Sequence, residues 1–151
     1  DPRTVDMLRQ LNDDFYRRCA PSFSNTRQAP WEGWRACLPL LREASRDDGA
    51  SGRKLELLDV ACGNGRFEAF LADELPDVDV RATAVDDCDE LMAGAHVPGA
   101  TFKRFDALES LAAGCAWREE LLVADVAVSF GFLHHIPSRA LRERALTELL
   151  D

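Results

Sequence analysis

One segment decides what this chain can fold into. Leu55 to Ala61 (LELLDVA) is a short, nearly continuous apolar run that leads into the glycine turn Gly63-Asn64-Gly65, and Phe67, Phe70, Leu71 and Leu75 then recur at helical spacing. A nearly continuous apolar run of this length reads as a strand buried on both faces, and the spacing after it reads as an amphipathic helix. Strand, tight turn and helix form the opening unit of a parallel sheet, because parallel neighbours need a crossover between them.

The alternation continues. Pro76-Asp77 stops the helix, Val80 to Asp86 (VRATAVD) predicts a second strand, and Leu91 and Met92 lie on a short helix. Thr101 to Phe105 is the third strand, Leu108 to Ala113 a helix, and Asp125 to Phe132 (DVAVSFGF) the fourth strand. A last helix starts at about Ser138, with Leu141, Ala145 and Leu149 on one face. This order predicts an α/β fold, a doubly wound parallel sheet with strands in the order 3-2-1-4.

Ahead of the sheet, Leu8, Leu11 and Phe15 predict one helix, and Trp31, Trp34, Leu38 and Leu41 a second that Pro39 shortens or kinks. The polar stretch Ser45 to Arg53 (SRDDGASGR) reads as a linker. The expected division is a helical arm or lid over residues 1–53 and a sheet-bearing half over 54–151.

Composition sets outer limits. A chain of 151 residues, 46% hydrophobic and 30% charged, fits one ordinary domain. No apolar run approaches the roughly 20 residues of a membrane helix, so no membrane partner is expected. With 18 basic and 27 acidic residues the net charge is -9, opposite to the footprint of a free-standing nucleic-acid binder, and no DNA partner is expected. Residues 1–54 carry a net +2 and the remainder -11, so an anionic partner would meet the arm. The five cysteines are odd in number and widely spaced, which fits neither a disulfide framework nor zinc; reduced thiols and a cytoplasmic location are expected. The chain opens on Asp1-Pro2 with no signal pattern and reads as a piece of a longer sequence.

The glycine turn carries the chemistry. Gly63 and Gly65 let a ligand approach the backbone and the amides of the following helix. Asp86 falls 21 residues after Gly65, at the end of the second strand, close to the spacing at which an acid receives ribose hydroxyls; Asp87 and Asp89 compete for that role. Together they indicate an adenosine-type ligand. A pyrophosphate turn needs a third glycine where this chain has Glu68, whose carboxylate repels a diphosphate, and no phosphate-loop Lys follows Gly65. A nucleoside without phosphates fits better than NAD.

From Leu55 onward these residues resemble the class I S-adenosylmethionine-dependent methyltransferases. Asp59-Val60-Ala61-Cys62-Gly63-Asn64-Gly65 is similar to the first cofactor motif, with Ala61 where many members have glycine. Asp86 resembles the ribose acid, Asp106 in FKRFDAL the adenine-contacting Asp, and SFGFLHHIP from Ser129 the motif bordering the methyl-transfer site. The arm segment Phe15 to Trp31, with CGNGRF and DDCDELM, is similar to the eukaryotic tRNA wobble-uridine carboxymethyl methyltransferases. The resemblance implies a Rossmann-like methyltransferase fold and S-adenosylmethionine as cofactor. It implies in-line methyl transfer to a tRNA base substituent, as the arm indicates, or to a small metabolite, as the acidity indicates. The implied cofactor set is Asp59, Ala61, Gly63, Gly65, Asp86, Asp106, Ser129 and Arg27, the last reaching either the cofactor carboxylate or an anionic acceptor. A non-catalytic S-adenosylmethionine-binding subunit and an NAD-dependent oxidoreductase are the readings from other classes.

Other residues have plainer roles. His134 and His135 have only His96 besides them, so no metal site is expected. Adjacent side chains leaving a strand diverge, so at most one of the pair faces a pocket, and His134 is the candidate base. Trp31 and Trp34 fit a helix-face core contact better than a base-stacking platform, and Cys62 reads as a small buried thiol. The family's sheet continues past the fourth strand, whereas this sequence stops in the helix after it. That leaves VAVSFGF as an apolar edge, and predicts self-association through it with weak or no methyl transfer.

Overall fold

The computed structural model describes residues 2–47, 49, 52–121 and 124–150. Among them, five strands form one sheet: β1 (Arg46–Asp47), β2 (Arg53–Val60), β3 (Val78–Asp86), β4 (Ala100–Arg104) and β5 (Val126–Val128). β2 runs parallel to β3 from Arg53 opposite Val78 to Val60 opposite Val85, and β3 runs parallel to β4. On the other edge of β2, β5 pairs parallel through Leu57–Val126 to Asp59–Val128. The parallel order β4-β3-β2-β5 is the predicted 3-2-1-4.

Side chains alternate along β2, so its apolar run feeds two cores. Leu55 and Leu57 pack with Phe67, Phe70 and Leu71 of α3 (Arg66–Glu74), while Leu58 and Val60 pack with Leu111, Ile136 and Ala145 on the opposite face. Each such side chain contributes about 1.5–3 kcal/mol on burial. The second face is closed by α5 (Ala107–Ala113) and α6 (Arg139–Leu150), whose first turn is capped by Ser138 Oγ accepting from the Leu141 N–H at 3.1 Å. No described helix is long and apolar enough to cross a membrane.

The arm departs from expectation in detail. α1 (Pro2–Thr26) is a single helix, and its Tyr16, Ala20 and Phe23 pack on Cys88 and Leu91, the latter on α4 (Asp89–Met92). The second predicted helix divides into a 3-10 turn over Glu32–Cys37 and α2 (Leu38–Ala44). Pro39 stands in the first turn of α2, where a missing N–H breaks no helical bond. The linker is also more than a loop: β1 pairs antiparallel with the start of β2, and Asp125 joins both by accepting from Arg46 at 3.0 Å and from the Glu56 N–H at 2.9 Å.

The fourth parallel strand is shorter than the Asp125 to Phe132 predicted for it. The chain leaves the sheet after Val128: Ser129 Oγ donates to the Val60 carbonyl at 2.8 Å, and Gly131 adopts a φ of +76°. Phe130 and Phe132 are apolar because they pack on the two cores from a turn.

Candidate functional site

The crossovers diverge on either side of β2, β3 lying on one edge and β5 on the other. Ligands of open α/β sheets bind at the carboxyl ends of strands at such a switch point. A cavity of ≈ 240 Å³ lies there, walled by the turn after β2, the end of β3, the start of α5, the turn after β5 and the arm.

The turn after β2 is built from backbone. The Ala61 and Cys62 N–H groups both donate to the Val85 carbonyl, at 2.8 and 3.0 Å, and Ala61, Gly63 and Gly65 all have positive φ. Gly65 precedes α3 in a left-handed conformation, and a Cβ there would lie 2.8 Å from Phe102 Cζ. Only glycine fits that position. Gly65 therefore shapes the turn without lining the cavity, and Ser129, engaged with Val60, likewise stands outside the lining.

Asp86 clips the turn to β3. Its Oδ2 accepts from the Gly63 N–H at 2.8 Å and its Oδ1 from the Cys88 N–H at 3.0 Å. Burial raises its pKa, and those two donors pull it back. Asp87, half-buried in the same lining, has its carboxyl raised to about 7 by burial and by the charges of Asp86, Asp13 and Asp106. Both acids line the cavity. Asp106 lines the cavity too, and its Oδ1 caps α5 by accepting from the Glu109 N–H at 2.7 Å.

Asp59 lines the cavity beneath the turn beside Glu68, and both are almost fully buried. Asp59 Oδ1 and both Glu68 carboxyl oxygens lack a hydrogen-bond partner. Burial raises both pKa values, and for Asp59 the Glu68 charge adds to it. Two carboxylates cannot donate to each other, so this contact becomes a hydrogen bond only when one carries a proton. Burial, with the charges of Asp59, Asp86 and Glu68, pushes the Cys62 thiol far above its usual range, which leaves it inert as a nucleophile.

The opposite wall is aromatic. Trp34 is core, 4% exposed against Phe67 and Phe70, whereas Trp31 is 43% exposed and lines the cavity edge-on to Phe130. Both line the cavity with ring centres 5.4 Å apart, because side chains three residues apart eclipse along a 3-10 turn, and they differ only in burial. Arg27 also lines the cavity, its guanidinium 4.1 Å over the Phe23 ring.

His134 and His135 both line the cavity, contrary to the expectation that only one would. By this point the chain has left the strand for a 3-10 turn over Leu133–His135, and the rings lie with centroids 3.9 Å apart. Tyr16 Oη and His135 Nε2 are 3.0 Å apart. Burial, with the nearby His134, lowers the His135 pKa, and burial raises that of Tyr16, so both shifts favour the neutral forms. Tyr16 and Arg66, which no motif in the sequence marks, also line the cavity. A signal for Tyr16 existed: it is the chain's one tyrosine, in helical register with Asn12 and Phe23.

No protein-family profile and no curated protein matches the chain. A crystal structure of a SAM-dependent methyltransferase from Anabaena variabilis ATCC 29413 is similar to it in fold, with a TM-score of 0.55 and 19% sequence identity over 91% of this chain. The chain spans 56% of the length of that protein. The architecture is a Rossmann-like methyltransferase fold with an N-terminal helix.

Proposed function

We propose that the chain is the cofactor-binding part of an S-adenosylmethionine-dependent methyltransferase. The observation that carries this reading is convergence. The glycine turn after β2, Asp86 and Asp87 after β3, and Asp106 after β4 meet in one cavity of a methyltransferase-type fold. A nucleoside fits this wall better than a dinucleotide, since the buried carboxyls of Asp59 and Glu68 lie where a diphosphate would need positive potential. S-adenosylmethionine supplies a sulfonium methyl, an intrinsically good electrophile.

The chain's own residues would then bind and align. The Ala61–Gly65 turn holds the methionyl half, Asp86 or Asp87 the ribose, and Asp106 the adenine edge. Trp31, Phe130 and the Tyr16–His135 pair border the acceptor and hold a proton-accepting nitrogen near it. Alignment of donor and acceptor supplies much of the rate in such a displacement. For the acceptor, the arm's sequence supports a tRNA base substituent and the net charge of -9 supports a small metabolite. Filter binding of tRNA at low salt separates the two, with no retention favouring the metabolite.

Calorimetry with S-adenosylmethionine, S-adenosylhomocysteine and NAD tests the reading. One-to-one binding of the first two and none of the third is expected. Binding of NAD alone would overturn it.

A further inference from the structure

Glu68 lines a second cavity, of ≈ 250 Å³, that shares no lining residue with the first. It lies between α3, β3 and the segment Val97 to Ala100 that leads into β4. Small residues leave the space open. Ala72 on α3, Ala82 on β3 and Ala100 at the start of β4 stand where longer side chains would fill it. Gly99, with a φ of +82°, keeps the segment close to β3, since a Cβ there would collide with the Val80 carbonyl oxygen.

The wall is apolar apart from two acids, which differ in their surroundings. Asp79 is exposed and pairs with Arg81 at 3.2 Å, whereas Glu68 is 3% exposed and both its carboxyl oxygens lack a partner. Among the described residues, no Lys, Arg or His lines the cavity. A proton shared with Asp59 does not satisfy the pair, because it joins one oxygen of each acid and leaves the second Glu68 oxygen bare. Burial raises the pKa of both acids, which reflects the cost of ionising them with no cation beside them. A buried acid facing an empty, cation-free space is therefore suited to a ligand that brings a positive charge and hydrogen-bond donors.

We infer that this second cavity binds a small primary alkylammonium, its nitrogen at Glu68 and its alkyl stem among Leu75, Val80 and Val97. An ammonium carries one positive charge and three N–H donors, and Glu68 with Asp59 offers three unpartnered oxygens. Hydrogen bonds between ionised partners are about twice as strong as neutral ones. An inorganic cation fits less well. Calcium, for one, needs about six or more oxygen ligands, and no group of three or more His, Cys, Asp or Glu among the described residues could hold a metal ion. The site stands apart from the first cavity and does not rest on the methyltransferase reading.

Alanine-methyl NMR titration of the protein at pH 8 tests the site, with n-butylamine, protonated at that pH, and its neutral analogue 1-butanol as probes. The wild type is expected to bind n-butylammonium about tenfold or more tighter than butanol. The methyl signals of Ala72, Ala82 and Ala100 should move, and those of Ala61 and Ala107, in the first cavity, should stay in place. Glu68→Gln, which keeps the shape and loses the charge, should weaken n-butylammonium by about tenfold or more and leave butanol within about twofold. Ala72→Leu fills the cavity from an exposed position on α3 and leaves both acids in place, so it should weaken both probes. No binding of n-butylammonium by the wild type, equal affinity for the two probes, or shifts confined to Ala61 and Ala107 would overturn the proposal. An n-butylammonium affinity unchanged in Glu68→Gln or in Ala72→Leu would do the same. Should Glu68→Gln fail to fold, the methyl shifts of the wild type and the Ala72→Leu titration decide.

Discussion

Replacing Glu68 with Gln removes a buried acid whose two oxygens have no partner and which faces the equally buried Asp59. The substitution keeps the shape and adds an N–H2 group that donates to Asp59 Oδ1, also unpartnered in the parent. An unsatisfied buried polar group costs about 1–3 kcal/mol, so supplying one donor is expected to stabilise the protein by about 1–2 kcal/mol at pH 8. For a chain of this size that is a rise of about 2–4 °C in Tm per kcal/mol. The sign with pH follows from linkage. Burial raises the pKa values of Asp59 and Glu68, as it does for Asp86 and Asp87, the last to about 7. The folded chain therefore binds more protons than the unfolded chain between the ordinary carboxyl range and these raised values. Stability is fully present below the unfolded pKa values and declines as pH rises through the folded ones. As pH falls toward the ordinary carboxyl range the parent takes up a proton between the two carboxyls, so the advantage of Glu68→Gln narrows. Urea melts of both proteins at pH 5 and pH 8 make the comparison. A Glu68→Gln protein that is less stable than the parent by the same amount at both values would refute the shared-proton account.

Ala61→Gly is expected to stabilise the protein by about 1 kcal/mol, because Ala61 holds a φ of +65° that an L residue adopts only with strain; a denaturant midpoint shows it. Asp86→Ala should weaken S-adenosylmethionine by about 1.5–3 kcal/mol and also lower Tm, since it unclips Gly63 from β3; an unchanged dissociation constant in calorimetry would transfer the ribose contact to Asp87. Among the described residues β5 pairs only with β2, so its outer edge is free, and sedimentation velocity at rising concentration is expected to show association; a concentration-independent monomer refutes this.

The sheet was legible because its signals are local. β2 and its glycine turn are one contiguous string, and parallel order follows from the strand–helix alternation. Asp86 was found by spacing, but its grip on the Gly63 N–H was not, because a hydrogen bond between two elements leaves no mark in either. Periodicity treated Trp31 and Trp34 alike, and the 3-10 turn keeps their rings together on the cavity wall while only Trp34 is buried. The run from Val126 to Phe132 is apolar throughout, and hydropathy cannot tell a strand from a turn that feeds two cores; Gly131 was the one local sign of the break. The neighbours Tyr16 and His135 lie 119 residues apart, a distance at which no sequence pattern operates.

The way α1 is attached bears on kinetics. Asn12, Asp13, Tyr16 and Phe23 make one side of the cavity, yet the helix is held by a small apolar cluster on Cys88 and Leu91 and by the Tyr16–His135 hydrogen bond. Its Met7, Leu8, Leu11 and Phe15 remain exposed and add little to that hold. A segment with so few buried contacts opens at a fraction of the free energy of global unfolding, while β2 and β3 stay paired. Were entry and exit to require this helix to lift, residence time would be tunable from α1 without touching a strand.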